Sequence, residues 1–475
     1  MRRQLFILLA ALSTLMVAAG CTSQGQFLQK AKSKNSDCPV LLVEPGLETY
    51  DLALSGGGYR AMLFHVGSLW RLHELGMLKD VRTISSVSGG SITAGVLALQ
   101  LGGIQNDARN LNTHCFKKLV ADPLVEFAQT TVDTKAVAQS LVTPLSAGNV
   151  LARYYRANLF GDAKMSDTPV TPAFVFQATN LHTGSVWSIS RDLMGDPQMK
   201  YADALDLPLS AAVAASSSFP PVLSPFILEG AERLWADAPY SAAIANSREF
   251  VDMKGSSQRP AANLAASAPP EVLAKVRRRV FLTDGGVADN LAIEGIWYSR
   301  RTLLISDGGG NARAVAKPST NWLGQLTHIT ELIHAQPSEL RYRSLLEGFR
   351  AVSSPMTGRS GVERDGAYWA LGKPLPCHRE EWFGRSARVD PEVLRRLSSV
   401  PTRLAAMTQK QAEELVNLGY HLADWNIPYI DARWPGHQKA DKSLKSDPQI
   451  SEKLPYPKAP LWGDDKTQSG AGRCN

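Results

Sequence analysis

The first part of the chain alternates between short strand-like runs and segments whose apolar residues recur at helical spacing. The runs 51–55 and 81–87 predict buried strands, and a glycine-rich turn follows each of them. The segment 60–75 and the segment that begins after residue 90 have the spacing of helices with an apolar face. This order of strand, helix, strand and helix predicts parallel strands joined by right-handed crossovers.

Further elements follow along the chain. Residues 174–179 and 186–189 predict a strand pair, and the apolar runs 280–283 and 302–305 each lead into Asp-Gly-Gly. Apolar residues at helical spacing between 390 and 424 predict a helical part that covers the sheet. We therefore expect a signal peptide at 1–20, a polar tether at 21–48, one domain at 49–432 with a loop-rich insertion at about 228–278, and a polar tail at 433–475.

The N-terminus has the composition of an export signal. Two arginines precede the apolar run 5–19, which is too short and too rich in small residues at its end for a membrane-spanning helix. Residues 17–21, Val-Ala-Ala-Gly-Cys, resemble the lipobox of bacterial lipoproteins, in which the cysteine is lipidated. Secretion with an unmodified Cys21 is the alternative, because Ala18 stands where Leu or Val is commoner. A lipidated Cys21 followed by Thr22 predicts a lipid-anchored protein of the bacterial cell envelope, at the outer membrane in a Gram-negative cell.

Composition excludes a disordered or fibrous protein, since the 475 residues are 44% hydrophobic and 20% charged. The net charge of +7 is scattered, with one short basic cluster at 275–279, so no nucleic-acid partner is expected. Four cysteines, Cys38, Cys115, Cys377 and Cys474, allow three disulfide pairings in an oxidising compartment. None of them has the spacing of zinc ligands, so no metal site is expected.

A serine stands at the turn between the second predicted strand and its helix, in the sequence Ser86-Val87-Ser88-Gly89-Gly90. Small neighbours let its hydroxyl project from a strained strand-to-helix turn, the geometry called a nucleophile elbow, and the following helix N-terminus favours negative charge. This pattern predicts Ser88 as a nucleophile. A glycine- and serine-rich turn without a catalytic role is the alternative.

Three consecutive glycines, residues 56–58, end the first predicted strand. Their backbone N–H groups could hold an oxyanion at the start of the next helix. Together with Ala61 they also fit the dinucleotide-binding pattern GxGxxA, but the next strand ends without the acidic residue that binds a ribose. The loop therefore predicts an oxyanion hole, and no nucleotide is expected.

A serine nucleophile needs a base, and two carboxylates occupy suitable positions. Asp284 and Asp307 each follow an apolar run and precede two glycines, which would let a reacting group approach closely. Either motif alone is also an ordinary turn.

In combination these motifs resemble the patatin-like phospholipases, which hydrolyse esters with a Ser-Asp dyad and no histidine. The resemblance implies a three-layer α/β/α sandwich with a mainly parallel central sheet and the site at the C-terminal ends of the parallel strands. It rests on the glycine loop 56–60, Ser88 in Ser-x-Ser-x-Gly, Asp284-Gly285-Gly286, the stretches 174–180 and 214–221, and a tail-like region at 401–424.

Carried over by position, the resemblance implies Ser88 as nucleophile and Asp284 as its activating partner. The amides of Gly57 and Gly58 would form the oxyanion hole, with Arg60 fixing the loop. Asp284 is preferred to Asp307 because its neighbours, including residues 287–290, fit the family context. Two departures are Ser86, where the family usually has Gly, and Ser55, where many members have Asp.

The implied function is two-step hydrolysis of acyl esters of membrane lipids at a membrane surface, without a metal or other cofactor. A catalytically silent envelope lipoprotein that binds lipid, and a general carboxylesterase, are the alternatives. A Ser-His-Asp triad would need a histidine after the acid. The candidates His328, His334, His378 and His421 have no distinctive context, and His65 is expected to be structural.

Overall fold

The computed structural model describes residues 41–42, 49–102, 109–110, 113–230, 235, 269–297, 299, 301–310, 320–321, 325, 329, 338–349, 365–372, 389–427 and 454–461. The predicted signal peptide, with Cys21, lies outside these residues, as does nearly all of the predicted tether. The same is true of residues 231–234 and 236–268 of the predicted insertion.

The strands of the described residues, numbered in chain order, are β1 (Leu41–Leu42), β2 (Tyr50–Leu54), β3 (Val81–Val87), β4 (Arg109–Asn110), β5 (Ala173–Asn180), β6 (Val186–Ile189), β7 (Leu193–Asp196), β8 (Lys200–Asp203), β9 (Phe226–Glu229), β10 (Arg279–Asp284), β11 (Thr302–Asp307) and β12 (Gly366–Ala370).

The α-helices are α1 (Gly58–Glu74), α2 (Gly89–Gly102), α3 (Thr113–Phe116), α4 (Asp122–Phe127), α5 (Asp133–Ser140), α6 (Ala147–Tyr155), α7 (Leu209–Ser216), α8 (Pro270–Arg278), α9 (Gly286–Asp289), α10 (Pro391–Ser398) and α11 (Gln409–Asn426). Residues 338–349 are also helical. Single π-helical turns follow α3 and α6, at Lys117–Ala121 and Arg156–Phe160.

Ten strands form one sheet in the order β12-β11-β2-β3-β5-β6-β7-β8, with β10 paired to β5 and β9 paired to β10. The five neighbouring strands from β12 to β5 are parallel, whereas β6, β7 and β8 continue the sheet in antiparallel fashion. Helix α1 joins β2 to β3, which confirms the predicted crossover. The predicted strand pair at 174–179 and 186–189 is confirmed as β5 and β6.

Apolar side chains lie on both faces of the parallel strands, so the sheet is covered on both sides. Leu52 and Leu304 belong to the large core beneath α1 and α2. Their neighbours Ala53, Leu303 and Ile305 point to the opposite face and join a smaller cluster with residues of 291–296 and of the helical segment 338–349. Since side chains alternate along a strand, this gives helix, sheet and helix layers. The three-layer α/β/α prediction is confirmed.

One edge of β5 is shared by two strands that meet end to end. Parallel pairing of β3 with β5 ends at Val87 opposite Gln177. Antiparallel pairing of β10 with the same edge ends one residue further, with Asp284 opposite Ala178. The residue after Val87 and the last residue of β10 are therefore brought together.

The predicted helical part at 390–424 consists of two helices with a break at 399–408. Pro401 lies in the break, where it lacks an N–H and restricts the residue before it. Helix α11 packs mainly on α1 and only reaches the edge of the sheet at β12, rather than covering the sheet as expected. Two glycines allow this close packing: a Cβ on Gly67 would lie 1.8 Å from Val416 O, and one on Gly419 would lie 1.8 Å from Phe64 O.

Regular structure extends into segments that the sequence assigns to loops. The predicted insertion begins with the end of β9 and ends with α8. In the predicted polar tail, Tyr456 and Leu461 are buried, and the Tyr456 hydroxyl donates to Asp122 Oδ1 over 2.9 Å. The Asn417 side chain donates to the Tyr456 carbonyl at 2.9 Å, so residues 454–461 are part of the packed body.

Within the described ranges, no helix combines the length and the hydrophobicity that crossing a membrane requires.

Candidate active site

Ser88 stands in a strained elbow at the end of β3. Its φ of 53° lies in the left-handed region of backbone conformation, which residues other than glycine rarely adopt. Such a conformation is expected for a nucleophile elbow. Its backbone N–H donates to Ser216 Oγ at 3.1 Å, and its carbonyl accepts the N–H groups of Ser91 and Ile92 in the first turn of α2. The residue is buried, with 7% of its surface exposed.

Asp284, the last residue of β10, is buried beside Ser88. Its Oδ1 accepts the N–H of Gly286 at 2.8 Å, whereas its Oδ2 is buried and has no hydrogen-bond partner of normal geometry among the described residues. Burial raises the pKa of this carboxyl to about 6, and the Ser88 hydroxyl and the Gly286 amide oppose the rise. The Ser88 hydroxyl is therefore close, but looser than in a formed hydrogen bond. Catalytic hydrogen bonds tighten in the substrate complex.

The glycine loop adopts backbone conformations that only glycine takes readily. Gly57 has φ 142° and Gly58 has φ 61°. Among the described residues neither of their N–H groups meets an acceptor, whereas the N–H of Gly56 donates to Asn290 O at 3.0 Å. The loop thus offers two adjacent donors at the start of α1, which suits a developing oxyanion.

The elbow and the glycine loop are in direct contact. A Cβ on Gly89 would lie 2.1 Å from Gly58 O, and one on Gly56 would lie 3.2 Å from Ser88 Cβ. Only glycine at these positions lets the serine and the two free N–H groups come this close.

Arg60 holds the glycine loop from behind. Its Nε donates to Gly308 O at 3.1 Å and its Nη1 to Val400 O at 2.5 Å, while Nη2 donates to Gly309 O and to Thr402 Oγ1. Each guanidinium nitrogen therefore donates to the loop after β11 or to the segment before α11. These hydrogen bonds fix the position of the glycine loop.

The competing carboxylate, Asp307, is fully occupied by structural partners. Its Oδ1 accepts the N–H of Gly309 at 2.9 Å and its Oδ2 accepts the Tyr368 hydroxyl at 2.6 Å. Asp284, by contrast, keeps one buried oxygen without a hydrogen-bond partner among the described residues, and the Ser88 hydroxyl lies close to its carboxyl group. The geometry favours Asp284 as the partner of the serine.

The histidines that the structure describes have no place in this constellation. His65 is fully buried, and its Nε2 donates to Ser55 O at 2.9 Å while Nδ1 accepts from Ser306 Oγ at 2.8 Å. Burial lowers the pKa of His65 to about 4, so the ring is neutral and holds the strand end that precedes the glycine loop. His421 lies on α11, which packs on α1. The other three candidates, His328, His334 and His378, lie outside the described residues.

Two residues that the sequence analysis did not assign a role connect the parts of the site. Ser216, at the end of α7, accepts the Ser88 N–H, donates from Oγ to Gln177 O at 2.6 Å, and accepts the N–H of Gly285 at its carbonyl over 3.1 Å. It therefore holds both Ser88 and the loop that follows Asp284. Asn290 fills the space between three glycines, since its Oδ1 would lie 2.3 Å from a Cβ on Gly56. Only the similarity of residues 214–221 and 287–290 to the family hinted at them.

The two departures from the family pattern are accommodated by hydrogen bonds. The Ser86 hydroxyl donates to Val175 O at 3.3 Å and accepts from Ser91 Oγ at 3.0 Å. Ser55 Oγ accepts the N–H of Gly308 at 2.9 Å, which ties the glycine loop to the loop after β11.

The arrangement combines a strained serine, a buried carboxylate and two open N–H donors, the groups that acyl transfer requires. Across the described stretches of chain, no cluster of three or more His, Cys, Asp or Glu residues could hold a metal ion.

Comparison with known proteins identifies one family. Residues 52–297 match the family described as patatin-like phospholipase. Among solved structures, human GIVD cytosolic phospholipase A2 is similar at 14% identity over 89% of this chain and 66% of that chain, with a TM-score of 0.39. Its complex with methyl gamma-linolenyl fluorophosphonate is 15% identical over 86% of this chain and 61% of that chain, with a TM-score of 0.41. VipD from Legionella pneumophila is 10% identical over 86% of this chain and 73% of that chain, with a TM-score of 0.33.

This chain spans less than two thirds of the length of the human phospholipase chains. No curated protein sequence matches it significantly.

The raised pKa of Asp284 predicts an acid limb in the activity profile. Asp284 must be ionised to accept the Ser88 proton, and burial favours its neutral form, so kcat/KM should fall about tenfold per pH unit below pH 6 and level off above it. Hydrolysis of a soluble fluorogenic ester between pH 4 and 8 measures this. The Asp307→Asn variant should keep the same inflection. A wild-type profile that stays flat down to pH 4.5 would contradict the role of Asp284.

Removing the Ser216 hydroxyl should misplace the elbow. In Ser216→Ala the Ser88 N–H and the Gln177 carbonyl lose their partner, and we expect kcat to fall about tenfold with little change in KM. Ser210→Ala is the matched control, because Ser210 is buried on the same helix and makes no comparable contact in the described structure. Equal kcat values for the two variants would show that Ser216 does not position the nucleophile.

Proposed function

This chain belongs to the patatin-like phospholipase family, and we propose that it is a serine acyl hydrolase that cleaves acyl esters of membrane lipids through Ser88 and Asp284. The match covers more than half of the chain and contains both residues. The substrate class follows from the family. The assignment of the two residues follows from their positions.

The observation that carries this proposal is the end-to-end meeting of β3 and β10 on one edge of β5. It puts the strained Ser88 beside a buried carboxylate that no other side chain in the described structure neutralises. The glycine loop, which carries the open N–H groups of Gly57 and Gly58, contacts the same elbow. A binding protein has no need for a strained serine, a carboxylate of raised pKa and free donors in one place.

The reaction proceeds in two steps. Ser88 Oγ bonds to the ester carbonyl carbon as its proton passes to Asp284, and the carbonyl oxygen becomes an oxyanion held by the glycine N–H groups. The ester C–O bond then breaks, and the leaving alcohol takes the proton from Asp284. In the second step water gives a proton to Asp284 and attacks the acyl carbon. The acyl bond to Ser88 breaks, and Ser88 recovers the proton.

We further propose that the protein is exported and held at the cell envelope by a lipid on Cys21. The lipobox-like sequence at 17–21 supports this, as does a disulfide at Cys115, whose partner lies outside the described residues. Disulfides persist in oxidising compartments outside the cytoplasm. An anchor would keep the enzyme at the surface that contains its substrate.

The dyad makes a direct prediction for lipid hydrolysis. Purified mature protein should release fatty acid from mixed phospholipid vesicles, and both Ser88→Ala and Asp284→Asn should lower the rate by at least about 10³-fold, because each removes one member of a unit. Folding of each variant is checked by circular dichroism and thermal unfolding.

Labelling with a fluorophosphonate separates the alternatives. Wild type should be labelled at Ser88 and Ser88→Ala should not. A folded wild type that neither releases fatty acid nor takes the label would identify a silent lipid-binding lipoprotein. Rapid cleavage of soluble short-chain esters without release from vesicles would identify a general carboxylesterase.

Lipidation is tested in a bacterial host that processes lipoproteins. With Cys21 intact, the protein should incorporate labelled palmitate and sediment with membranes, whereas Cys21→Ser should remain unlabelled and appear in the soluble fraction. A wild-type protein that is exported, soluble and unlabelled would show that Cys21 is not modified.

A further inference from the structure

A segment outside the family match lies directly against the glycine loop. Arg403 O accepts the N–H of Tyr59 at 3.1 Å, and a Cβ on Gly58 would lie 2.6 Å from that oxygen and 2.7 Å from Arg403 N. The backbone of residue 403 thus touches the loop that carries the two open N–H groups. Any group attached to Arg403 begins at the margin of the candidate site.

The Arg403 guanidinium is hydrogen-bonded through Nε, whereas its two terminal nitrogens are available to a ligand. Its Nε donates to Asp133 Oδ2 at 2.9 Å, and Asp133 Oδ1 accepts the N–H of Thr134 at 2.7 Å. The Asp133 side chain is 7% exposed, whereas that of Arg403 is 54% exposed. Neither terminal Nη of Arg403 has a partner in the described part of the chain. Since a guanidinium has five N–H donors, four remain for a ligand, in an orientation that the buried carboxylate sets.

The ion pair between Arg403 and Asp133 is not needed to hold residues 400–407 in place, because other contacts already hold them. The N–H of Val132 donates to Leu404 O at 2.8 Å, and the N–H of Met407 donates to Ala128 O at 3.0 Å. Arg60 adds its bonds to the 400–402 backbone and side chain. A half-exposed ion pair adds little stability to such a framework. A buried carboxylate that orients one edge of an exposed guanidinium is, however, how a protein prepares an arginine for an anion.

We propose that Arg403, oriented by Asp133, binds the phosphate of a glycerophospholipid substrate whose acyl ester lies at Ser88. This inference rests on the proposed acyl hydrolase function and deepens it, because it names the charged part of the substrate. Planar, bidentate recognition of phosphate oxygens is the interaction for which arginine is best suited. A neutral ester would make no use of this group.

The test compares two substrates in the same detergent micelles: phosphatidylcholine, and the p-nitrophenyl ester of the same fatty acid, which has no phosphate. Arg403→Met should lower kcat/KM for phosphatidylcholine about tenfold and leave the neutral ester within about twofold. Arg403→Lys, which keeps the charge, should recover part of the loss. Arg395→Met is the matched control, since Arg395 is 74% exposed on α10 and pairs only with Glu392 in the described structure; neither substrate should respond to it.

Three outcomes would overturn the proposal. An equal loss for both substrates in Arg403→Met would mean that the residue only supports the loop, and no loss for either would mean that it does not meet the substrate.

The third outcome concerns the source of the phosphate and comes from an inhibition experiment. Glycerophosphocholine should inhibit hydrolysis of the neutral ester in wild type and not in Arg403→Met. Inhibition by inorganic phosphate alone, with an unchanged substrate ratio, would assign the site to a free anion. Wild type that cleaves neither ester would instead refute the hydrolase function itself.

Discussion

The candidate site depends on one feature of strand pairing: β3 and β10 share an edge of β5 and stop where they meet. At the junction the Ser216 hydroxyl donates to the Gln177 carbonyl at 2.6 Å. Because both strands end there, the residue after Val87 and the last residue of β10 leave the sheet side by side. One side chain is a serine and the other a carboxylate, so the sheet itself, rather than a flexible loop, sets their separation.

Placing a carboxylate at this junction has an energetic consequence. Burial raises the pKa of Asp284 from its ordinary value of 3.8 to about 6. Between these values the folded protein keeps a proton that the unfolded chain has released, so this group lowers stability as pH rises from about 4 to 6 and stays unfavourable above. The cost at neutral pH is on the order of 2–3 kcal/mol. The same burial makes the carboxylate a stronger base, which an acyl transfer needs.

The sequence pattern predicts several strands and turns of this fold, because each of them depends on residues that are close together in the chain. The strand Val81–Val87 and the glycine turns follow from periodicity and from residues that fit strained backbone, as the positive φ of Gly57 illustrates. The antiparallel approach of β10 to β5 joins residues about a hundred positions apart and leaves no periodic signature. The partners of Arg60 and the contacts of Ser216 depend on such long-range contacts, so the motifs alone indicate the candidate pair but not what positions it.

These long-range contacts also make the functional unit larger than the matched segment 52–297. Arg60 lies within that segment, yet its guanidinium bonds to Gly308 and Gly309 after β11 and to residues 400–402 before α11. A buried guanidinium that lost these acceptors would lose the hydrogen bonds that hold it behind the glycine loop, which is unfavourable. The glycine loop is therefore supported by residues 308–309 and 400–402, which lie outside the matched segment. Residues 400–403 therefore form part of the wall behind the candidate site.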